Sequence, residues 1–291
     1  MTSMVNINGE IVPETEARVP VLDRGFLFGD SIYEVLRTRK GGFHSAGRHL
    51  DRMERSASRI LMKLPISREQ LLERCAETAR AAGNEESYVR IILTRGTGTA
   101  PNIDLRYAPE MPNLIIMVRP LPRPPADLMA KGFSAEVVSI RRNDPRALDP
   151  AIKSGNYLNN IMGLMEARQD GADVAIFLNT LGQVTEAQTS NLWMVKDGDI
   201  LTPPPEVGIL RGITRGLLLE YGQLEGLPIR EQLLTEADLR ATDEVFMTST
   251  LMDIAPITSL DGQPIGSGRP GPVTLELARG FSAWLDQGDG D

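Results

Sequence analysis

Between residues 119 and 125 the chain reads Arg-Pro-Leu-Pro-Arg-Pro-Pro, with four prolines in six residues. Proline fixes φ and donates no backbone hydrogen bond, so neither a helix nor a central strand crosses such a stretch and an extended, stiff connector is expected. The fold is therefore assembled from a part before it and a part after it. We expect a small N-terminal α/β domain over residues 1–119, a proline-rich linker over 120–126 and a larger C-terminal domain over 127–291.

Hydrophobic periodicity supplies the elements on each side. Met4 to Ile7 followed by Asn8-Gly9 predicts a strand and a tight turn, and the β-branched and aromatic content of Ser31 to Arg39 predicts another strand. Helical spacing of Leu50, Met53, Ala57, Ile60 and Leu61 predicts an amphipathic helix over 49–61, and a second helix is expected over 67–82. Strands are expected at 88–94 and 113–118 before the linker, and beyond it at 134–140, 174–178, 191–195 and 244–247. Helices are expected at 158–168, with Leu158, Ile161, Met162 and Met165 on one face, at 213–221 and at 273–285. This alternation gives the fold class: α/β with mixed sheets in two domains.

Composition narrows the function. The chain is 291 residues long, 41% hydrophobic and 24% charged, which suits a folded soluble protein. A net charge of −8 with no basic stripe argues against a nucleic-acid partner. No apolar run reaches the roughly 18 residues of a membrane span, and the opening residues lack a secretory pattern, so a cytoplasmic protein is expected. Cys75 stands alone and is accompanied by only His44 and His49, so no metal is expected. Small-molecule chemistry is the default, and any lysine nucleophile is Lys40, Lys63, Lys131, Lys153 or Lys196.

Lys153, in Ala151-Ile152-Lys153-Ser154-Gly155-Asn156-Tyr157, precedes an apolar helix where loss of solvent would favour the free amine for Schiff-base chemistry. A solvated lysine in a first helical turn is the plain alternative. Glu186 lies at the edge of a buried-looking strand, where an acid requires a partner, and a pyridinium nitrogen is a suitable one. The stretch 208–215, Gly-Ile-Leu-Arg-Gly-Ile-Thr-Arg, opens into a helix whose first amides, with the Thr214 hydroxyl, suit a phosphate; taken alone it is equally an ordinary capped helix. Thr248-Ser249-Thr250 after a strand offers further hydroxyls. Arg52, on an amphipathic helix, is by itself a solvated arginine, although its fork suits phosphate.

The ordered set LDRGFLFGDSIYEV, HLDRMERSA, AIKSGNYLNN, TEAQTSNLW, ILRGITR and EVFMTSTLMDIAPI resembles the fold type IV, class IV pyridoxal-phosphate aminotransferases, from about residue 4 to about residue 285. That group holds branched-chain aminotransferases, D-amino acid aminotransferases and aminodeoxychorismate lyases. The resemblance implies a two-domain fold type IV enzyme with pyridoxal 5′-phosphate as cofactor, acting as a homodimer with its active site near the subunit interface. It implies that Lys153 holds the cofactor as a Schiff base and moves the proton, that Glu186 faces the ring nitrogen, and that Tyr157 lies near the phenolic oxygen. Arg52, Gly212, Ile213, Thr214, Ser249 and Thr250 then serve the phosphate, and Leu210 packs on the ring face.

Substrate signatures are mixed. Tyr33, in LDRGFLFGDSIYEV, matches a tyrosine beside the substrate in D-amino acid enzymes, whereas Arg90, in SYVRIILTRG, matches a pocket arginine of branched-chain enzymes. The arginine and histidine carboxylate trap typical of D-amino acid enzymes is replaced by Thr-Gly-Thr-Ala-Pro-Asn-Ile-Asp at 97–104, and Val35 replaces the glycine usual in branched-chain sequences. A carboxylate site using Arg24, Arg37 or Arg90 stays open, and Thr250 and Leu251 complete the expected substrate contacts. The expectation is a transaminase moving an amino group from branched-chain L-amino acids to 2-oxoglutarate by a ping-pong mechanism. The alternatives are a D-amino acid aminotransferase, an (R)-selective amine transaminase, an aminodeoxychorismate lyase, and a non-enzymatic protein on the same fold.

Overall fold

The computed structural model describes residues 2–122 and 126–288. The chain divides into two units: the first runs to Pro122 and includes Ile152–Asn156, and the second holds the remainder.

The first unit is built on an antiparallel sheet of β1 (Met4–Ile7), β2 (Glu10–Pro13), β3 (Ser31–Arg39), β4 (Gly42–Phe43), β5 (Ser87–Thr94) and β6 (Asn113–Pro120), in the order β2-β1-β6-β5-β3-β4. Asn8 and Gly9 both take positive φ in the β1–β2 turn, as the Asn-Gly pair predicts. A short helix, α1 (Arg24–Phe28), leads into β3, and α2 (Ala46–Arg59) and α3 (Arg68–Ala82) cover one face of the sheet. Strand alternation decides what each face carries. Ile32 and Leu36 of β3 and Val89, Ile91 and Leu93 of β5 pack with Leu50 and Met53 of α2 and Leu71 and Cys75 of α3. The other parity brings Val35 opposite Arg90 and Arg37 opposite Tyr88. Ser67 closes a capping box with Gln70 at the start of α3, which is why that helix starts where the sequence places it.

The second unit holds α4 (Ala126–Lys131), β7 (Phe133–Val137), α5 (Pro145–Leu148), α6 (Leu158–Gln169), β8 (Val174–Leu178), β9 (Val184–Ala187), β10 (Asn191–Lys196), β11 (Asp199–Thr202), α7 (Ile213–Leu224), β12 (Ile229–Glu231), α8 (Glu236–Arg240), β13 (Glu244–Ser249), β14 (Asp253–Leu260), β15 (Gln263–Pro264) and α9 (Pro272–Leu285). Its mixed sheet runs β12-β11-β10-β13-β14-β7-β8-β9, and the pairing of Glu186 on β9 with Asn191 on β10 closes six of these strands into a ring. Leu192, Met194, Met247, Ile176 and Ala255 form one core cluster. The opposite parity of the same strands, Trp193, Val195 and Phe246, packs with Leu217 and Leu218 of α7 and with Phe281 of α9. Apolar side chains on both parities make these strands the uninterrupted Ile, Val and Leu runs seen in the sequence.

The expected elements are present, with differences at their ends. The strand expected to reach residue 140 stops at Val137, and the proline stretch begins inside β6, which ends at Pro120; residues 123–125 of the expected linker lie outside the described residues. The apolar face expected on the 158–168 helix is the exposed one: Leu158, Ile161, Met162 and Met165 are 46–67% accessible. Helix α6 packs instead through Asn160, Gly163 and Ala167, because a Cβ at Gly163 would collide with the Phe177 ring. Residue 153 follows the proline stretch in sequence, yet its segment pairs with β3: Tyr33 N–H donates to the Lys153 carbonyl (2.9 Å), Gly155 N–H donates to the Ser31 carbonyl (2.9 Å), and Ser154 bridges to Ile32. Among the described residues no helix is long and apolar enough to cross a membrane, and no group of three His, Cys, Asp or Glu is placed to hold a metal ion.

Candidate active site

In the first unit the site grows from helix α2, whose buried side presents His49, Arg52 and Ser56 one turn apart. Arg52 is 5% accessible, so it is not the solvated residue that amphipathic spacing alone suggests. Its Nε and Nη2 donate to the two oxygens of Glu34 (2.7 and 2.8 Å), and His49 Nδ1 lies 2.8 Å from Glu34 Oε2. Glu34 shares the parity of Ile32 and Leu36, so β3 carries a carboxylate into an apolar layer, where a charge persists only with partners. Burial opposes that charge, but the Arg52 guanidinium and the His49 ring outweigh it and hold the Glu34 carboxyl far below the usual carboxylate range. Burial pushes His49 below its ordinary value against the pull of Glu34, and the charges of Arg52 and Lys153 push it further down. His49 is thus neutral at pH 7, with Nδ1–H donating to Glu34.

One turn beyond Arg52, Ser56 Oγ accepts from the Lys153 backbone N–H (3.2 Å). With Tyr33 N–H on its carbonyl, the half-buried lysine is fixed through both of its main-chain groups. Its Nζ lies 4.6 Å from the centroid of the Tyr33 ring, and the Arg90 guanidinium carbon lies 3.9 Å from the same centroid. The first unit therefore joins Tyr33, Arg52, Arg90 and Lys153 through short links. Arg37 is buried beside them on β3, and its register partner is Tyr88. Arg24 serves another purpose: Nε donates to Asp30 (3.0 Å), and Nη1 and Nη2 donate to the carbonyls of Asn102 and Ile103 (2.6 and 2.8 Å), tying the 97–104 loop to α1.

In the second unit the site lies where β9 and β10 close the ring. Glu186 is 4% accessible; its Oε1 accepts from Arg142 Nε and Nη2 (both 3.0 Å), and its Oε2 accepts from Leu210 N–H (3.0 Å) and Asn191 Nδ2 (3.3 Å). Asn191 Nδ2 also donates to the Leu210 carbonyl (2.9 Å), so Leu210 is held on both sides. Gly212 is the N-cap of α7 and makes no side-chain capping bond, which leaves the helix-start amides at Ile213 and Thr214 without the usual Ser or Asp cap. Only glycine fits there, because a Cβ would strike Asn191 Oδ1. Ser249 ends β13, and Thr250 and Leu251 follow in the turn to β14; the neighbouring Thr248 accepts from Trp193 Nε1 (3.0 Å) and is committed to the core. Tyr157 is the N-cap of α6 and is half-buried.

Sequence reasoning missed Glu34, His49, Ser56, Arg142 and Asn191. A signal existed for the first three: an acid in the buried parity of a strand, and polar residues at 49, 52 and 56 on one helical stripe. Arg142 lies outside any helix or strand and carried none.

The profile of the family described as Amino-transferase class IV matches residues 31–260. The chain belongs to the class IV aminotransferases. Among its relatives, a protein named putative branched-chain-amino-acid aminotransferase from Methanocaldococcus jannaschii is 34% identical and covers 95% of this chain and 94% of its own. A D-alanine aminotransferase from Listeria monocytogenes is 35% identical, with the same two coverages. The crystal structure of the T.th. branched-chain amino acid aminotransferase with pyridoxamine 5′-phosphate superposes with a TM-score of 0.90 at 28% identity, over 98% of this chain and 94% of that one. This class IV aminotransferase is a transaminase that uses pyridoxal 5′-phosphate. Each unit holds donors that suit that cofactor: the first a main-chain-anchored lysine and a buried arginine, the second a buried carboxylate and an uncapped 12-residue helix.

Proposed function

We propose that the enzyme transfers the amino group of branched-chain L-amino acids to 2-oxoglutarate. Lys153 forms the covalent bond to the cofactor and carries the proton of the substrate α-carbon on Nζ. Glu186 faces the ring nitrogen, Tyr157 the phenolic oxygen and Leu210 the ring face. Arg52, Gly212, Ile213, Thr214, Ser249 and Thr250 hold the phosphate by charge-assisted and amide hydrogen bonds. Bound pyridoxal phosphate supplies the electron sink and carries the amino group between the two half-reactions. The compensating charge of Arg142 lets Glu186 stay buried as a carboxylate, and the Glu34 fork fixes the plane in which Arg52 meets an anion.

The observation that carries the substrate reading is Arg90. Arg24 is bound to Asp30 and two loop carbonyls, and residues 97–104 contain no arginine or histidine. Arg90, stacked on Tyr33 and opposite Val35, is then the guanidinium that a substrate carboxylate meets, with apolar surface beside it for an aliphatic side chain. Arg37, Thr250 and Leu251 complete the proposed substrate contacts. The exposed stripe of Leu158, Ile161, Met162 and Met165 supports a homodimer in which α6 is covered by a second copy.

The test is the visible spectrum of the cofactor-loaded enzyme, recorded with L-leucine or with D-alanine and no acceptor. Loss of the cofactor band with L-leucine is expected. Loss with D-alanine alone would overturn the reading in favour of D-amino acids, and pyruvate release without an acceptor would replace it with a lyase.

A further inference from the structure

The ring of Tyr33 lies against two cations. Lys153 Nζ is 4.6 Å and the Arg90 guanidinium 3.9 Å from its centroid, both inside the range in which the negative face of an aromatic ring attracts a positive charge. Tyr33 is 5% accessible, so water screens neither contact well. Tyr33 also holds Lys153 by its backbone, its N–H donating to the lysine carbonyl, while Ser56 receives the lysine N–H from the other side. The main chain places the lysine, and the ring places its amine.

We propose that Tyr33 is a positioning residue for proton transfer, its aromatic ring being the seat on which Lys153 rests as an ammonium ion. The inference rests on Lys153 being the reacting amine. When the lysine removes the α-proton, the Cα–H bond breaks and its electron pair is drawn towards the bound cofactor. The Nζ lone pair forms the new N–H bond, and amine becomes ammonium. The charge appears on Nζ at that moment, so a π face 4.6 Å away favours the product of the transfer over its reactant. The ammonium is held in place to return the proton, and Arg90, stacked on the same ring, fixes the ring plane.

Several charged groups lie around the seat. Arg90 on β5 and Arg52 on α2 are cations, and Lys153 and His49 interact electrostatically. Glu34, the nearby carboxylate on β3, is already engaged by Arg52 and His49. A π face attracts a positive charge without carrying a formal negative one.

Two substitutions separate ring from hydroxyl: Tyr33→Phe keeps the π face, and Tyr33→Leu keeps only apolar bulk. With just five lysines in the chain, ε-13C-lysine NMR of the cofactor-free protein resolves each one, and Lys153→Arg assigns the signal of interest. The Lys153 ε-methylene signal is expected upfield of the other four, displaced by the ring current. That displacement is lost in Tyr33→Leu and kept in Tyr33→Phe. In single-turnover half-reactions with an α-deuterated donor, Tyr33→Leu slows the step about tenfold with a larger isotope effect, and Tyr33→Phe recovers to within about threefold of the parent. An unshifted Lys153 signal in the parent, or a Tyr33→Leu enzyme at the parental rate and isotope effect, overturns the proposal. So does a Phe variant as slow as the Leu variant, because the hydroxyl would then be the active group. Substantial turnover by Lys153→Ala would instead overturn the assignment of the lysine on which the inference rests.

Discussion

Each unit buries one carboxylate against one arginine, and the two pairs differ in what surrounds them. Buried Glu34 is bonded by side chains of α2: Arg52 takes both oxygens and His49 adds a third bond. Glu186 receives Arg142 on one oxygen only, while its other oxygen is met by the Leu210 amide and the Asn191 side chain at the point where β9 and β10 close the ring. The first carboxylate orients an arginine; the second is itself held in orientation by a strand, an arginine and a loop amide. A buried ion pair is weak evidence for stability as such, and its use is read from which partner is left to act.

That comparison breaks first at Glu186. Glu186→Gln keeps the shape but removes the charge that we propose faces the ring nitrogen, and turnover is expected to fall by about a hundredfold to a thousandfold while Glu186→Asp recovers part of it. Steady-state kinetics on cofactor-loaded protein measures this. Wild-type turnover in Glu186→Gln, with a loss of stability alone, would make the two carboxylates equivalent. Glu34→Gln acts the other way: Arg52 loses its counter-charge in a buried site, and denaturant unfolding is expected to show a loss of about 3 kcal/mol together with weaker cofactor retention. Unchanged stability would mean that the α2 pair contributes nothing to the first unit.

The smallest effect is the pH dependence of that loss. The folded-state value of Glu34 lies below its ordinary value of 4.5, so the unfolded chain takes up the proton first on acidification. The stabilisation is therefore complete above pH 4.5 and is lost as pH falls through the folded value. The gap between wild type and Glu34→Gln should be widest at neutral pH and narrow below 4.5. His49, also lowered from its ordinary 6.5, weakens both proteins as the pH drops below 6.5, since protonating it costs folded stability. A gap that widens in acid would reverse the assignment of Glu34 as the ionised partner.

The strands and helices were legible because their periodicity is local, and Lys153, Glu186 and Arg52 stood out as candidates because each lies in a dense local motif. What stayed hidden depended on distant pairing. Arg52 looked like a surface arginine until β3 brought Glu34 beneath it, and Lys153, which follows the proline stretch in sequence, is stitched to β3 by bonds between residues more than a hundred positions apart. Helix α6 misled through its pattern: four large apolar residues at helical spacing ordinarily mark a core face, but Gly163 lies against Phe177 and turns that stripe outward. The cation seat on Tyr33 had no sequence signal, since it requires the register of β3 with β5 and the bridge to Ser154 together.

Lys153, seated on the first unit, is the amine that we propose holds the cofactor. Borohydride reduction of the loaded enzyme fixes the cofactor to its lysine, and peptide mass spectrometry then locates it among the five lysines of the chain. A single modified peptide containing Lys153 is expected. Label on Lys40, Lys63, Lys131 or Lys196 instead would contradict it.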